Sequence, residues 1–320
     1  MTSAPGYEEI LRTLSEGSVH RHFDAFTDIA WDDPEFAIDP DDPRWVLPDC
    51  EPLGASAWYQ AQPLADRIRI GLARQANTAK VGLQFENLLM RGILEYVFAL
   101  PNGDPEFRYL THEVTEESHH TQMFQEFVNR AGVDTPGVHW LVRSVQSFIP
   151  MTVQVVPAFF FSMVLCGEEP IDHMQKTILR AGSANHPLML RIMQIHVAEE
   201  ARHISFAHEY LRRTVPALHP AGRTLLSLLF PVMFAIACDL IAKPSPKWAA
   251  QQGIPRHAMR EAFWRSPASR QMRRDMLSDV RGLAHACGLM NPVSAQLWRL
   301  LRVDGRASRY RSEPARSVQP

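Results

Sequence analysis

The stretch Ile195-His-Val-Ala-Glu-Glu-Ala-Arg-His-Ile-Ser-Phe-Ala207 contains acidic residues and histidines at helical spacing. Within it, Glu200 and His203 are three positions apart, so on an α-helix both side chains project from one face. A carboxylate and an imidazole at this spacing can bind one metal ion together. A single pair of this kind is also common on solvated helix surfaces, so the stretch alone decides little.

The same motif occurs a second time, in Glu116-Glu-Ser-His-His120, where Glu117 and His120 are again three positions apart. Helical bundles that bind two metal ions between their helices take one Glu-x-x-His pair from each of two helices and one Glu from each of the other two. The repeated motif therefore predicts an all-α, ferritin-like four-helix bundle with a di-metal site. We expect additional helices and an extended N-terminal arm around this bundle.

The composition is that of a globular protein and excludes several other classes. Hydrophobic residues make up 46% of the 320 residues, charged residues 21%, and the net charge is −2. No general attraction to nucleic acid follows from such a charge. The four cysteines are dispersed without a Cys-x-x-Cys pair, and no basic start with an apolar core is visible at the N-terminus, so we expect a cytoplasmic protein without a disulfide framework.

Two apolar stretches without charged side chains, Phe148–Cys166 and Leu225–Cys238, require a membrane test. The first contains Pro150 and Pro157 and runs directly into two glutamates, and the second is shorter than the roughly 20 residues that a span needs. We therefore expect buried core helices and no membrane association.

The distribution of the turn-forming residues Pro, Gly, Asn and Asp divides the chain into three parts. Residues 1–65 are predicted to form an arm, residues 66–302 the di-metal helical domain with C-terminal covering helices, and residues 303–320 a flexible tail. The predicted helices lie near 66–98, 104–131, 136–168 with breaks at its prolines, 169–183, 187–214, 219–242, 255–265, 266–287 and 292–302.

The two remaining carboxylates can be located by the geometry of helical hairpins. Residues equidistant from a turn lie at one height, because both helices rise about 1.5 Å per residue. Counting back from the first turn points to Glu86, and counting back from the second points to Glu169, with Glu168 fitting slightly less well. Both hairpins then repeat one spacing, since 117 − 86 and 200 − 169 each give 31. Pro170 implies a kink or a helix start after Glu169.

Further polar residues share the faces of these motifs. His196 lies four positions before Glu200 and is predicted to face the same metal pair, although a buried, hydrogen-bonded histidine is the alternative. Glu116 and Glu199 are predicted to accept hydrogen bonds from ligand histidines, and Arg202 to offset the acidic charge. Oxygen-rich sites with imidazole favour iron, with manganese as the alternative metal. The run Phe159–Phe161 with Met163 indicates core or, alternatively, a substrate wall.

At the second motif the sequence closely resembles the AurF-type p-aminobenzoate N-oxygenase family of di-iron proteins. The resemblance covers about residues 64–290 and implies two iron ions per chain, a cytoplasmic homodimer, and oxidation of an arylamine with O₂ and electrons from an external donor. It implies seven ligands, four Glu and three His, with His196 as the additional histidine of the family: Glu86, Glu117, His120, Glu169, His196, Glu200 and His203.

Three other functions remain open on the residues alone. A di-iron hydroxylase or desaturase would act on carbon instead of an amine nitrogen. A ferritin-like iron-binding protein would have no organic substrate, and the long extensions beyond the bundle argue against it. A radical-generating subunit would need a tyrosine beside the metals, and the spacings of Tyr96 and Tyr210 from the motifs do not favour one.

Overall fold

The computed structural model describes residues 6–182 and 184–313, which form helices joined by turns, with no strand among them. The all-α architecture predicted from the repeated motif is confirmed. In chain order the helices are α1 (Tyr7–His20), α2 (Ala57–Gln60), α3 (Leu64–Val97), α4 (Pro105–Ala131), α5 (Trp140–Val145), α6 (Thr152–Val155), α7 (Pro157–Ala181), α8 (Pro187–Thr214), α9 (Pro220–Ala237), α10 (Pro246–Gln251), α11 (Arg256–Ala262), α12 (Pro267–Asp275), α13 (Ser278–Ala286) and α14 (Pro292–Leu300).

Helices α3, α4, α7 and α8 form the bundle. α3 and α4 make one hairpin and α7 and α8 the other, while α4 also packs on α8 and α3 on α7. Local sequence signals place the ends of α4: the Asp104 side chain accepts a hydrogen bond from the Glu106 N–H, and Gly132 adopts the left-handed conformation that ends the helix. These two hairpins bring both Glu-x-x-His motifs into the centre of the bundle.

The prediction of a helix break between residues 168 and 169 is wrong, because α7 runs through Pro170 without interruption. Proline in a helix interior removes one backbone hydrogen bond and destabilises an isolated helix. Here α7 is packed between α3, α8, α9 and the turn that follows α9, and this tertiary packing outweighs the local preference. The first part of the predicted helix 136–168 consists of the short helices α5 and α6, and α7 begins at Pro157.

The N-terminal segment covers one side of the bundle. Helix α1 lies within the segment predicted as an arm and packs on α4 and α8. Trp31 and Trp45 of the following turns are buried. Phe23 reaches the metal motifs directly, since its backbone N–H donates to Glu199 Oε1 at 3.0 Å.

The C-terminal helices cover the opposite side, with α9 packed on α7 and α14 packed on α9. The stretch Pro220–Gln251 has the length and hydropathy to cross a membrane, but 56% of its most apolar window is buried inside the protein. A π-helical turn, Cys238–Ala242, follows α9, and its Leu240 lines an apolar cavity beside the bundle. Of the predicted tail, residues 314–320 lie outside the described residues, and within 303–313 Val303 is buried.

Candidate metal centre

Two groups of metal-ligating side chains meet in the centre of the bundle and share Glu200. In each group one potential ligand atom per residue lies within 4.8 Å of the others. The first group takes residues from α4 and α8, and the second adds α7. The groups are His120, His196 and Glu200, and Glu117, Glu168, Glu200 and His203.

Glu86 of α3 completes the arrangement. Its carboxylate Oε1 lies 3.4 Å from His196 Nε2, which in turn lies 3.4 Å from Glu200 Oε1. All four bundle helices therefore contribute a carboxylate to one buried cluster. Two adjoining groups with a shared carboxylate are the arrangement expected of a di-metal site.

The placement of Glu169 in this cluster is wrong, and its neighbour Glu168 takes the position. The Glu169 carboxylate lies 2.5 Å from His208 Nε2, on another side of α7. Hairpin arithmetic gives the height of a residue but not the direction of its side chain, and neighbouring helix positions point about 100° apart. Because α7 continues through Pro170, the face towards the other motifs carries Glu168.

The two motifs are linked by exchanged hydrogen bonds. His203 Nε2–H donates to Glu116 Oε2 at 2.8 Å, and His120 Nε2–H donates to Glu199 Oε2 at 2.9 Å. Each acid that precedes a ligand glutamate thus serves the histidine of the other helix. The Nδ1 atoms of both histidines therefore face the cluster. Each lies close to the Glu117 carboxylate, at 2.9 Å for His203 and 3.0 Å for His120.

Arg202 lies behind these acids. Its Nη2 donates to Glu116 Oε1 at 2.7 Å and lies 3.6 Å from Glu199 Oε1. It also donates to the backbone oxygen of Arg21, at the end of α1. The guanidinium therefore offsets charge outside the cluster, without contacting the candidate ligands directly.

His196 is held by Gln175, a residue that the sequence motifs did not indicate. Its Nδ1 lies 2.9 Å from Gln175 Oε1, which leaves Nε2 for the cluster. Burial lowers the pKa of His196 to about 4, so the ring is neutral at pH 7. A neutral imidazole with one nitrogen fixed by a hydrogen bond is prepared as a metal ligand.

Several other buried titratable groups of the cluster have raised pKa values, unlike His196. Burial opposes protonation of His120, but Glu117 and Glu199 outweigh it and raise the pKa of His120 to about 10. Burial and the neighbouring carboxylates raise the pKa of Glu86 and of Glu168 well above the usual range. Without cations, the group of acids is therefore held by shared protons and ion pairs.

The donor set fits a pair of divalent metal ions. Within the described residues, four buried oxygens that face the cluster have no hydrogen-bond partner, namely both carboxylate oxygens of Glu168 and both of Glu200. Buried polar atoms in proteins are otherwise almost always paired. Oxygen and nitrogen donors without a cysteine suit iron or manganese.

Glu113 and Tyr109, one and two turns before Glu117 on α4, were missed by sequence reasoning. Both are fully buried, and burial, opposed by His203, raises the pKa of Glu113 to about 8. Glu113 lies four positions before Glu117 and therefore on the same helix face. This spacing is the one sequence signal that could have indicated Glu113 as part of the site. Tyr96 and Tyr210 lie farther out, where Tyr96 donates to Glu106 at 2.6 Å.

An apolar cavity of about 310 Å³ adjoins the cluster. Glu86, Glu168, His196 and Glu200 line it at the cluster, and helices α3, α5, α7 and α9 supply apolar walls. Phe160 and Met163 belong to the wall, whereas Phe161 is buried in the core against Tyr96 and Tyr210. Gly92 makes room for Phe160, since an added Cβ would lie 2.1 Å from its ring.

The chain is similar in sequence to known proteins along most of its length. Two relatives, an uncharacterized protein from Mycobacterium bovis and one from Mycobacterium tuberculosis, are each 53% identical to the chain over 310 residues, which cover 97% of this chain and 91% of the relative. The family model described as p-aminobenzoate N-oxygenase AurF matches residues 4–288. The chain therefore belongs to the AurF family of N-oxygenases.

Proposed function

We propose that this protein is a di-iron oxygenase that uses O₂ and electrons from an external donor to oxidise the nitrogen of an amine, most simply an arylamine. The observation that carries the proposal is the apolar cavity, which has Glu86, Glu168, His196 and Glu200 at one end. A buried metal pair beside an apolar cavity is suited to activating O₂ next to an organic substrate.

In this proposal the ligands are Glu86, Glu117, His120, Glu168, His196, Glu200 and His203. Two bound iron ions would supply the electrons and the binding place for O₂. Glu116 and Glu199 hold the rings of His203 and His120 in the tautomer that leaves Nδ1 free for metal. The apolar walls exclude water from the substrate, which limits side reactions of the activated oxygen.

The cavity favours this function over an iron-binding protein without organic substrate. A storage or detoxifying bundle needs a path for ions, and such a path is lined with polar groups. Here the walls beyond the cluster are apolar, as in pockets that bind organic ligands. Oxidation at carbon, as in a hydroxylase or desaturase, uses the same kind of pocket and is separated by product analysis.

We further propose that the protein works in the cytoplasm as a homodimer, as its family resemblance implies. Size-exclusion chromatography with light scattering measures the oligomeric state. A monomer at working concentration would contradict the dimer proposal and leave the oxygenase proposal untouched.

The metal content tests the ligand set first. Protein loaded anaerobically with Fe²⁺ should bind about two ions per chain, and Glu117→Ala and Glu200→Ala should each lower this number sharply. Glu209→Ala, a substitution on the half-buried outer side of α8, serves as the matched control. Unchanged stoichiometry in both ligand variants would refute the assignment.

Activity tests the reaction. Iron-loaded protein supplied with a chemical reductant and O₂ should convert arylamines to hydroxylamine or nitro products, detected by mass spectrometry with ¹⁸O₂. Hydroxylated or desaturated carbon products would instead favour the carbon-oxidising alternative. Oxidation of iron to a mineral core, without any organic product, would favour the storage alternative.

A further inference from the structure

The walls of the cavity restrict the chemistry of the substrate. Among its lining residues in the described chain, polar or charged side chains occur only at the cluster, and the rest are Phe, Leu, Ile, Val, Met, Ala, Gly and one Cys. No lysine, arginine, amide or hydroxyl side chain faces the cavity. The cavity therefore offers a substrate metal-ligating groups at one end and hydrocarbon contacts everywhere else.

A carboxylate on the substrate would have no partner in this space. Burying an unpaired ionised carboxylate costs several kcal/mol, and the apolar walls offer no partner that would offset this cost. An alkylammonium ion meets a similar penalty along the walls. An aniline nitrogen is uncharged at neutral pH, so an arylamine without further charge crosses the cavity at the lowest cost.

The size of the cavity indicates more than one ring. Its volume of about 310 Å³ is roughly twice that of a 150 Å³ cavity that binds benzene. A single aromatic ring would leave part of the space empty and forfeit apolar contacts. A ring that carries an alkyl or second aryl group would fill it.

One end of the cavity reaches the protein surface through apolar residues. Leu141 and Val145 of α5 and Ile236 of α9 line the cavity and are also 46%, 40% and 52% exposed. Single exposed apolar side chains are common on protein surfaces, but these three line one cavity and so form an apolar rim at its opening. Their position lets a hydrocarbon substituent extend from the cavity towards the surface without meeting a charge.

Building on the proposed function, we infer that the substrate is an uncharged arylamine with a hydrocarbon substituent in place of the carboxylate of p-aminobenzoate. The amine nitrogen lies at the Glu168 and Glu200 end of the cavity. The substituent lies along α5 and α9, with its end at Leu141, Val145 and Ile236.

Binding tests this inference independently of turnover. Protein loaded with two equivalents of Mn²⁺ is titrated calorimetrically with p-aminobenzoate, its butyl ester and 4-butylaniline. We expect both uncharged compounds to bind at least tenfold more tightly than p-aminobenzoate. A smaller difference, the opposite order, or absence of binding by either uncharged compound would overturn the inference.

A charge placed at the mouth tests the location. Val145→Arg puts a cation on an exposed position that lines the cavity, and Val155→Arg puts the same cation on α6, at a residue that is 82% exposed and does not line it. Val145→Arg should weaken 4-butylaniline binding about tenfold and strengthen p-aminobenzoate binding, while Val155→Arg should change neither. Equal behaviour of the two variants would overturn the assigned mouth.

The outcomes separate this inference from the proposed function. Tight binding of the uncharged amines by iron-loaded protein that produces no oxidised nitrogen would support the apolar substrate site and refute N-oxygenation. Oxidation of p-aminobenzoate in preference to 4-butylaniline would support N-oxygenation and refute the inferred substrate class.

Discussion

Replacement of Glu168 by glutamine should stabilise the metal-free protein and weaken metal binding. Replacement of Glu169 by glutamine should destabilise the protein and leave metal binding unchanged. The two residues are neighbours on α7 and both are buried. Glu168 belongs to the cluster and neither of its carboxylate oxygens has a hydrogen-bond partner within the described residues, whereas Glu169 contacts His208 at 2.5 Å. Glutamine keeps the shape of the side chain and removes only its charge.

The magnitudes follow from these contacts. Burial raises the pKa of Glu168 well above its usual 4.5, so in the metal-free protein this group destabilises the fold at any pH above 4.5. Each pKa unit corresponds to about 1.36 kcal/mol, which limits this cost to roughly 3 kcal/mol at pH 7. Glu168→Gln should therefore stabilise the metal-free protein by about 1–3 kcal/mol. Glu169→Gln weakens a hydrogen bond to a carboxylate and should destabilise it by about 1–2 kcal/mol.

Bound metal should reverse the order of stability of the two variants. A metal present at about 100 times its dissociation constant stabilises the fold by about 2.7 kcal/mol. Glu169→Gln should keep this increment, because its side chain does not face the cluster. Glu168→Gln should lose most of it and bind less metal per chain.

Urea unfolding of the wild type and both variants at pH 7, in EDTA and in excess Mn²⁺, provides all six free energies, and mass spectrometry measures the metal content. The Glu168→Gln stabilisation should also disappear as the pH falls to about 4.5, because the unfolded carboxyl is then protonated as well. If Glu169→Gln loses metal and Glu168→Gln retains two ions, the assignment of the α7 ligand is refuted.

Three further predictions concern the surroundings of the cluster. Glu116→Ala and Glu199→Ala should each weaken metal affinity or activity by about 10- to 100-fold without abolishing binding, and full activity in both would make them merely structural. His196→Ala should keep the helical fold, by circular dichroism, and at least one metal ion, but lose substrate oxidation; normal turnover with two ions bound would reduce this residue to a packing role. In native protein only Cys50 should react readily with a thiol reagent, whereas denatured protein should expose all four thiols. The other three cysteines, Cys166, Cys238 and Cys287, are buried, and burial also raises the pKa of their thiols. The pKa is raised to about 11 for Cys238 and Cys287.

The bundle and most of the candidate centre could be predicted because both depend on helical periodicity. The spacing of three in Glu117/His120 and Glu200/His203 fixes a common face whatever surrounds it. Equal heights in a hairpin located Glu86 without any knowledge of packing. These inferences use only the rise and rotation of an α-helix, which vary little between proteins.

Where the prediction failed, tertiary packing had overruled a local preference. Pro170 normally ends or starts a helix, but inside the packed α7 it does neither. Residue height and the repeated spacing of 31 favour Glu169 but carry no information on side-chain direction, and Glu168 is the residue that faces the cluster. Gln175 could not be located, since its role depends on the direction of a side chain from a neighbouring helix towards His196. No spacing in a single segment contains that information.

The exchange of hydrogen bonds between the motifs explains why the acid before each ligand glutamate occurs in both copies. Glu116 holds His203, and Glu199 holds His120, so neither motif is complete without the other helix. A change in the register of α4 against α8 by one residue would break both bonds, each worth about 1.5–3 kcal/mol because the acceptor is a carboxylate. The repeated acids therefore fix the alignment of the two helices as well as the orientation of the ligands. For this reason the duplicated motif is a stronger indication of a metal site between the two helices than either Glu-x-x-His pair is by itself.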